Sequence, residues 1–167
     1  MDDGVNILDQ MKKEDVRFVH LQFVDIHGSI KSRVAPVEAL PVILQEGMPF
    51  DGSSIAGFVT IERSDLVARP DLSTFTVLPW TDGPGKSGRF ICDVFNPDGT
   101  PFEGDPRYLL RKALRKAEDM GFRAYAGPEV EFCLFQSNGS EPLDTGAYMD
   151  YLPSDAGEGF KEEILRP

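Results

Sequence analysis

The stretch RFVHLQFVDIHGSIKSRVA, residues 17–35, contains the clearest alternation of apolar and polar residues in the chain. Val19, Leu21 and Phe23 would share one face of an extended segment, as side chains two residues apart do in a strand. Residues 26–29 (IHGS) are typical of a turn, and a second extended run follows them. The stretch therefore predicts a β-hairpin.

Helices and further strands are predicted around this hairpin, which indicates a mixed α and β domain. Pro41 is tolerated only in the first turn of a helix, so the helix that contains it must be short or bent. Small and polar residues dominate 48–58, which predicts a loop. Residues 81–88 predict a flexible, hairpin-like connection. The other predicted elements are an amphipathic helix over 4–14, the helix over 36–47, and strands over 75–80 and 89–95.

A second group of elements begins at Asp105, which is typical of a helix N-cap and is followed by Pro106 at the first helical position. Gly121 ends this helix. A strand over 122–135, a short strand over 148–152 and a helix over 160–166 follow. Helical spacing predicts a buried stripe made of Leu109, Leu110, Ala113, Leu114, Ala117 and Met120.

Two carboxylates stand out in GPEVEFCLF, residues 127–135. In a strand, Glu129 and Glu131 share one face, with Cα atoms about 6.5–7 Å apart. Ionised carboxylates on a half-buried face repel each other unless cations compensate them. This spacing suits two neighbouring divalent metals, one for each carboxylate. The alternative is a pair of solvated glutamates on an exposed face of the sheet.

Composition excludes some classes of partner. The chain has 167 residues and a net charge of −11, because 28 acidic residues outnumber 17 basic ones. This sign argues against nucleic acid or an anionic membrane as the main partner. No apolar run approaches the roughly 18 residues of a membrane-spanning helix.

Two further features predict a cytoplasmic protein. The sequence begins MDDG, without the basic and apolar regions of a secretory signal. Cys92 and Cys133 each lie in an apolar run that is typical of a strand. We expect both to be buried free thiols in a reducing compartment.

Three groups of residues, taken together and in order, resemble the glutamine synthetase family of the class I bacterial and archaeal type. The resemblance covers nearly the whole chain. GAYMD at 146–150 is similar to, but not a close copy of, the family's Gly-Gly-Tyr-Phe-Asp segment. The groups are FDGSS (50–54) with Ser64-Asp65; LPW (78–80) with CDV (92–94), PDGTPF (97–102) and DPR (105–107); and GPEVEF (127–132) with LF (134–135).

The resemblance implies an α+β fold in two parts. Residues 14–98 would form the family's N-terminal β-grasp domain. Residues 105–167 would form the beginning of its catalytic α/β domain. Members of the family are far longer than this chain, so the resemblance implies an N-terminal fragment that is inactive alone.

The resemblance also implies a reaction, the ATP-dependent ligation of ammonia to L-glutamate. The products are glutamine, ADP and phosphate, and γ-glutamyl phosphate is the intermediate. Asp51 would bind ammonium and take its proton, and Ser54 would belong to the same loop. This loop would complete the active site of a neighbouring subunit in a ring-shaped homo-oligomer, which is a dodecamer in the family.

The metal and nucleotide residues are likewise implied by the resemblance. Glu129 would hold a Mg²⁺ or Mn²⁺ ion on the nucleotide side, and Glu131 one on the glutamate side. Phe58 would lie near the nucleotide. Two alternatives stay open: a paralogue that joins glutamate to another amine such as a polyamine, and a stand-alone β-grasp interaction module.

Overall fold

A mixed sheet organises the first of two compact units, which extends through Ala124; the second unit begins at Tyr125. The computed structural model describes residues 2–81 and 85–165. The strands within those ranges are β1 (Val16–Val24), β2 (Ile30–Pro36), β3 (Met48–Asp51), β4 (Asp65–Pro70), β5 (Thr76–Val77) and β6 (Lys86–Phe95). Their order across the sheet is β2-β1-β6-β4-β3, and β5 also pairs with β6.

The helices follow the predicted positions closely. The segment predicted over 36–47 is short and bent: a 3₁₀ turn at Val37–Ala39 leads into a helix that has Pro41 in its first turn. Arg166, where the last helix was predicted to end, lies outside the described residues. The helices are α1 (Asp2–Lys13), α2 (Leu40–Glu46), α3 (Pro106–Asp119) and α4 (Glu158–Leu165).

The predicted hairpin is confirmed, because β1 and β2 pair antiparallel from Phe18 opposite Pro36 to Val24 opposite Ile30. Its turn is held by Asp25, which is 3% exposed and accepts hydrogen bonds from the backbone N–H groups of His27 and Ser29, both at 2.9 Å. On its other side β1 pairs with β6 in parallel. A parallel pair requires a long crossover, and this one contains every strand from β2 to β5.

The core lies on one face of this sheet. The alternating residues of β1 and β6 point into it, as the sequence predicted for β1. Met11 of α1 and Leu40 and Ile43 of α2 pack against them. The strand residues in this cluster are Val16, Val19, Leu21, Phe23, Ala35, Leu66, Ala68, Phe90, Cys92 and Val94.

The sheet curls, so that its two end strands approach each other. The rings of Phe23 in β1 and Phe50 in β3 have centroids 4.7 Å apart. Arg33 of β2 donates from Nη1 to the carbonyl oxygen of Pro49 in β3 at 2.7 Å. Strands that are farthest apart in pairing order are therefore in direct contact.

Helix α3 is attached to the sheet through the polar residues of its first turns. Asp105, its N-cap, is fully buried and accepts from the backbone N–H groups of Arg107 and Val94, each at 3.0 Å. Burial raises the pKa of this carboxyl, although the two N–H bonds oppose the rise. Arg107 and Arg111 each bridge Asp71 and Asp93, over distances of 2.7–3.1 Å.

The predicted strand over 122–135 is wrong, since residues 122–134 belong to no strand among the described residues. An isolated bridge between Phe135 and Pro142 is the pairing found at the end of this segment. A strand needs a neighbour for its backbone N–H and C=O groups, and periodicity does not supply one. The predicted strand over 148–152 is also wrong, because these residues form turns.

The predicted buried stripe of α3 is wrong as well, because the helix has no buried residue. Leu109, Leu110, Leu114 and Met120 are between 38% and 63% exposed. The 3.6-residue period predicts which side chains share a face, but it does not determine whether anything packs on that face.

Several smaller expectations also need correction. The predicted loop over 48–58 begins with β3, the strand predicted over 75–80 is reduced to β5, and β4 was not predicted. Cys92 is buried as expected, and burial raises the pKa of its thiol to about 12, but Cys133 is exposed. Residues 86–88 of the connection predicted over 81–88 belong to β6, and residues 82–84 lie outside the described residues.

Removing the buried cap should destabilise the chain strongly. Asp105→Ala leaves the N–H groups of Val94 and Arg107 without their acceptor, so we expect a loss of about 2–4 kcal/mol in the free energy of unfolding. Asp119→Ala, an exposed carboxylate at the other end of α3, is the matched control and should change it by less than about 0.5 kcal/mol. Urea unfolding followed by circular dichroism measures both, and equal losses would contradict the assignment.

The ion-pair cluster should make stability depend on acid pH. Burial alone would raise the pKa of Asp71, but hydrogen bonds from Ser73 and Arg107 outweigh it and lower the pKa from its usual 3.8 to about 2. A lowered pKa in the folded state means that the stabilisation is present above about pH 4 and is lost as the pH falls toward 2. The stability difference between the parent chain and Asp71→Asn should therefore shrink over this range in urea titrations. A constant difference would argue against the ion pair.

Candidate active site

The predicted site residues Asp51 and Ser54 lie in one tight loop. Strand β3 ends at Asp51, and a 3₁₀ turn over Gly52–Ser54 follows. The N–H group of Gly52 donates to the carbonyl of Ser64 at 2.6 Å, which holds the turn against the start of β4. A Cβ at Gly52 would lie 2.5 Å from a side-chain methyl of Leu66, so a larger residue here would force Leu66 to shift.

Ser53 and Ser54 surround the carboxylate of Asp51. Oδ1 accepts from the backbone N–H of Ser53 at 2.9 Å and from its hydroxyl at 2.6 Å. Oδ2 accepts from the hydroxyl of Ser54 at 3.3 Å. These bonds, that of the Ser53 hydroxyl above all, lower the pKa of Asp51. The loop therefore presents an ionised carboxylate to solvent, which suits a cationic ligand.

A second carboxylate lies beside this loop. The register of β3 and β4 places Asp65 directly opposite Asp51, and both residues are exposed. Like charges that face each other across two strands are unfavourable unless a cation or water lies between them. The pair therefore makes the local potential negative, which again favours a cation over an anion.

Phe58, predicted to lie near a nucleotide, is largely within the core, with 9% of its surface exposed. Its ring centroid lies 5.9 Å from that of Phe23 and 5.2 Å from that of Phe102. These contacts fix the far end of the Asp51 loop to the sheet. Contact of Phe58 with a nucleotide stays a prediction.

Glu129 and Glu131, the predicted metal ligands, are both exposed and lie in the second unit. Carboxylate oxygens are suitable ligands for Mg²⁺ or Mn²⁺. Such an ion needs about six oxygen ligands, and two side chains cannot supply them. Within the described residues no cluster of three or more His, Cys, Asp or Glu side chains is placed to hold a metal. This pair alone is therefore an incomplete site.

Sequence reasoning missed Ser53, although it makes the shortest contact with Asp51. The signal was available, because an aspartate followed two residues later by serine commonly forms a turn in which both the N–H and the hydroxyl bond the carboxylate. The same arrangement occurs at Asp71 with Ser73 and at Asp98 with Thr100.

None of the helices within residues 2–81 and 85–165 is long and apolar enough to cross a membrane.

Comparison with known families identifies the class of protein. The model described as the glutamine synthetase β-grasp domain matches residues 15–97, so the curled sheet and its carboxylate loop define a β-grasp domain of this type. The model described as the glutamine synthetase catalytic domain matches residues 103–166. The chain belongs to the glutamine synthetase family, and the family and α+β fold class predicted from the sequence are confirmed.

Individual relatives agree with this assignment. Glutamine synthetase of Staphylococcus epidermidis is 51% identical over 160 residues, and that of Staphylococcus aureus is 49% identical; each match covers 92% of this chain and 36% of the relative. The chain thus spans about a third of the length of these proteins. A solved GmaS/ADP complex shares 25% identity and a TM-score of 0.62, over 68% of this chain and 25% of its own. Plasmodium falciparum glutamine synthetase, at 23% identity and a TM-score of 0.63 over 71% of this chain and 23% of its own, shows the same fold.

Removing the hydroxyl of Ser53 should raise the pKa of Asp51 toward its usual value. Ser53→Ala removes the 2.6 Å bond, whereas Ser54→Ala removes the 3.3 Å bond and should have a smaller effect. A pH titration of the Asp51 carboxyl carbon by ¹³C NMR measures both.

Ser73→Ala is the matched control, because Ser73 makes the same bonds to Asp71. It should shift the titration of Asp71 and leave that of Asp51 unchanged. A larger shift of Asp51 in Ser54→Ala than in Ser53→Ala would contradict the assigned geometry.

Proposed function

We propose that this chain is the N-terminal part of a glutamate–ammonia ligase, which joins ammonia to L-glutamate at the expense of ATP. The observation that carries the proposal is the identity of about 50% with two glutamine synthetases over 92% of the chain. The products are glutamine, ADP and phosphate, formed through γ-glutamyl phosphate. The complete protein would perform this reaction, and the 167-residue chain alone would be inactive.

Asp51 is proposed to bind ammonium and to receive its proton. The bonds from Ser53 and Ser54 stabilise the ionised carboxylate, so they strengthen cation binding and weaken the carboxylate as a base. Asp51, which is exposed, would therefore hold the proton only briefly and release it to solvent water. Neutral ammonia would then attack the carbonyl carbon of the acyl phosphate, and phosphate would leave as the C–O bond breaks. Ser54 would keep Oδ2 oriented toward the ammonium ion.

Divalent cations are proposed for the complete site because a phosphate and a carboxylate, both anions, must meet there. Two or more Mg²⁺ or Mn²⁺ ions would be needed. Glu129 would be one ligand of the ion on the nucleotide side, and Glu131 one ligand of the ion on the glutamate side. Phe58 is proposed to border the nucleotide through the part of its ring that stays exposed.

The Asp51 loop is proposed to act across a subunit interface. It would complete the active site of a neighbouring subunit in a ring-shaped homo-oligomer, such as the family's dodecamer. Location in the cytoplasm is part of the same proposal. The net charge of −11 argues against nucleic acid or an anionic membrane as a partner.

Glutamine synthesis should require both the longer chain and Asp51. We expect none from the 167-residue chain with ATP, ammonium and Mg²⁺ or Mn²⁺, and robust synthesis from a chain of the relatives' length. Asp51→Asn in the longer chain keeps the side-chain volume but removes the negative charge, and it should lower kcat/KM for ammonium by about 10²–10⁴-fold.

The matched control is Asp98→Asn, since Asp98 is an exposed carboxylate with the same hydroxyl and N–H bonds, and this variant should keep its activity. Turnover by the 167-residue chain would contradict the proposal that it is an incomplete part. Faster turnover of a larger amine than of ammonium, in a panel that includes polyamines, would favour a γ-glutamyl–amine ligase instead.

A further inference from the structure

The two strands at the ends of the sheet are joined by one arginine. β2 and β3 do not pair, because β1, β6 and β4 lie between them in the order of the sheet. Nevertheless Nη1 of Arg33 in β2 lies 2.7 Å from the carbonyl oxygen of Pro49 in β3. A hydrogen bond from a charged donor is stronger than one between neutral groups. It also gives a partner to a carbonyl of β3, which is the last strand in the order of the sheet and pairs with β4 on one side.

The donor is attached to a firmly held part of the fold. Arg33 lies opposite Leu21 in the β1–β2 pair, and this pairing continues over the whole of β2. Leu21 is fully buried in the core. Arg33 therefore extends from a well-supported backbone and can restrain whatever it contacts.

The acceptor, in contrast, belongs to a short strand. β3 has four residues, and β4 is its pairing partner. The rings of Phe23 and Phe50, which contact each other at an angle of 31°, hold β3 on the inner side of the curl. Pro49 has no N–H group and is two residues before Asp51, so a shift of its peptide would move the carboxylate as well.

We propose that Arg33 is a positioning residue for Asp51: by bonding the Pro49 carbonyl it fixes the end of β3, and with it the carboxylate offered to ammonium. The role of Asp51 in this inference rests on the proposed function, whereas the contact between Arg33 and Pro49 does not. Arg33 acts through the backbone and does not touch the substrate.

Hydrogen exchange in the 167-residue chain tests the contact without any activity. Arg33→Met keeps the apolar stem and removes the donors, whereas Arg33→Lys retains a charged donor. We expect the amides of Gly52 and Ser53, which bond Ser64 and Asp51, to exchange about three- to tenfold faster in Arg33→Met and to recover partly in Arg33→Lys.

Arg115→Met is the matched control, since Arg115 is an exposed arginine of α3, and it should leave these amides unchanged. Unchanged exchange at Gly52 and Ser53 in Arg33→Met would overturn the proposal. An equal rise throughout β1 and β6 would also overturn it, because that result indicates general loss of stability.

Kinetic measurements on a chain as long as the relatives test whether Arg33 affects the use of ammonium through Asp51. Arg33→Met should raise KM for ammonium about threefold or more, leave KM for ATP and glutamate near the parent values, and be partly rescued by Arg33→Lys. A lower kcat with an unchanged KM for ammonium would overturn the positioning role. If the parent enzyme makes no glutamine, the proposed function fails, and the exchange experiment still decides whether Arg33 holds the loop.

Discussion

Every strand must find a neighbour for its backbone N–H and C=O groups, and this constraint governs the whole chain. β6 satisfies it on both sides, because it pairs with β1, β4 and β5, and the core is assembled on the face it shares with them. The segment 122–134 has a strand-like alternation but forms no strand among the described residues. The same sequence pattern is therefore a strand in one half of the chain and irregular in the other.

Carboxylates that are bonded by a nearby N–H or hydroxyl recur in this fold, and their surroundings decide what each can do. At Asp71 two arginines join the bonds from Ser73, and the group becomes part of the link between α3 and the sheet. At Asp51 no ion pair is present among the described residues, so the charge stays available to a ligand. Asp105 is different, because it is fully buried and caps a helix. The turns at Asp51 and Asp71 contain the same hydrogen bonds from serine to the carboxylate. The side chains around each turn therefore decide whether its carboxylate has a structural role or is a candidate for catalysis.

Prediction succeeded where the information was local. The hairpin, the cap at Asp105 and the bent helix around Pro41 all follow from side chains a few residues apart. It failed for β3 and β4, whose short runs contain prolines and charges, and for the apolar stripe of α3, which the described residues do not bury. In the candidate site, Asp51 and Ser54 were predicted through a resemblance, whereas the closer contact of Ser53 with Asp51 emerged from atomic distances. Burial and strand pairing depend on partners remote in sequence, so periodicity alone cannot specify them.

By itself the sequence determined the family, the alternation that makes β1 a strand, and the residue types that can bind a cation. Those features depend on which side chains are present and on their spacing along the chain. Only the tertiary structure decided that the sheet curls until Arg33 contacts Pro49, that Phe58 packs in the core, and that Glu129 and Glu131 lie on a segment that forms no strand among the described residues. The physical reason is that curl, burial and pairing are set by backbone and packing contacts between distant parts of the chain, which no local pattern encodes.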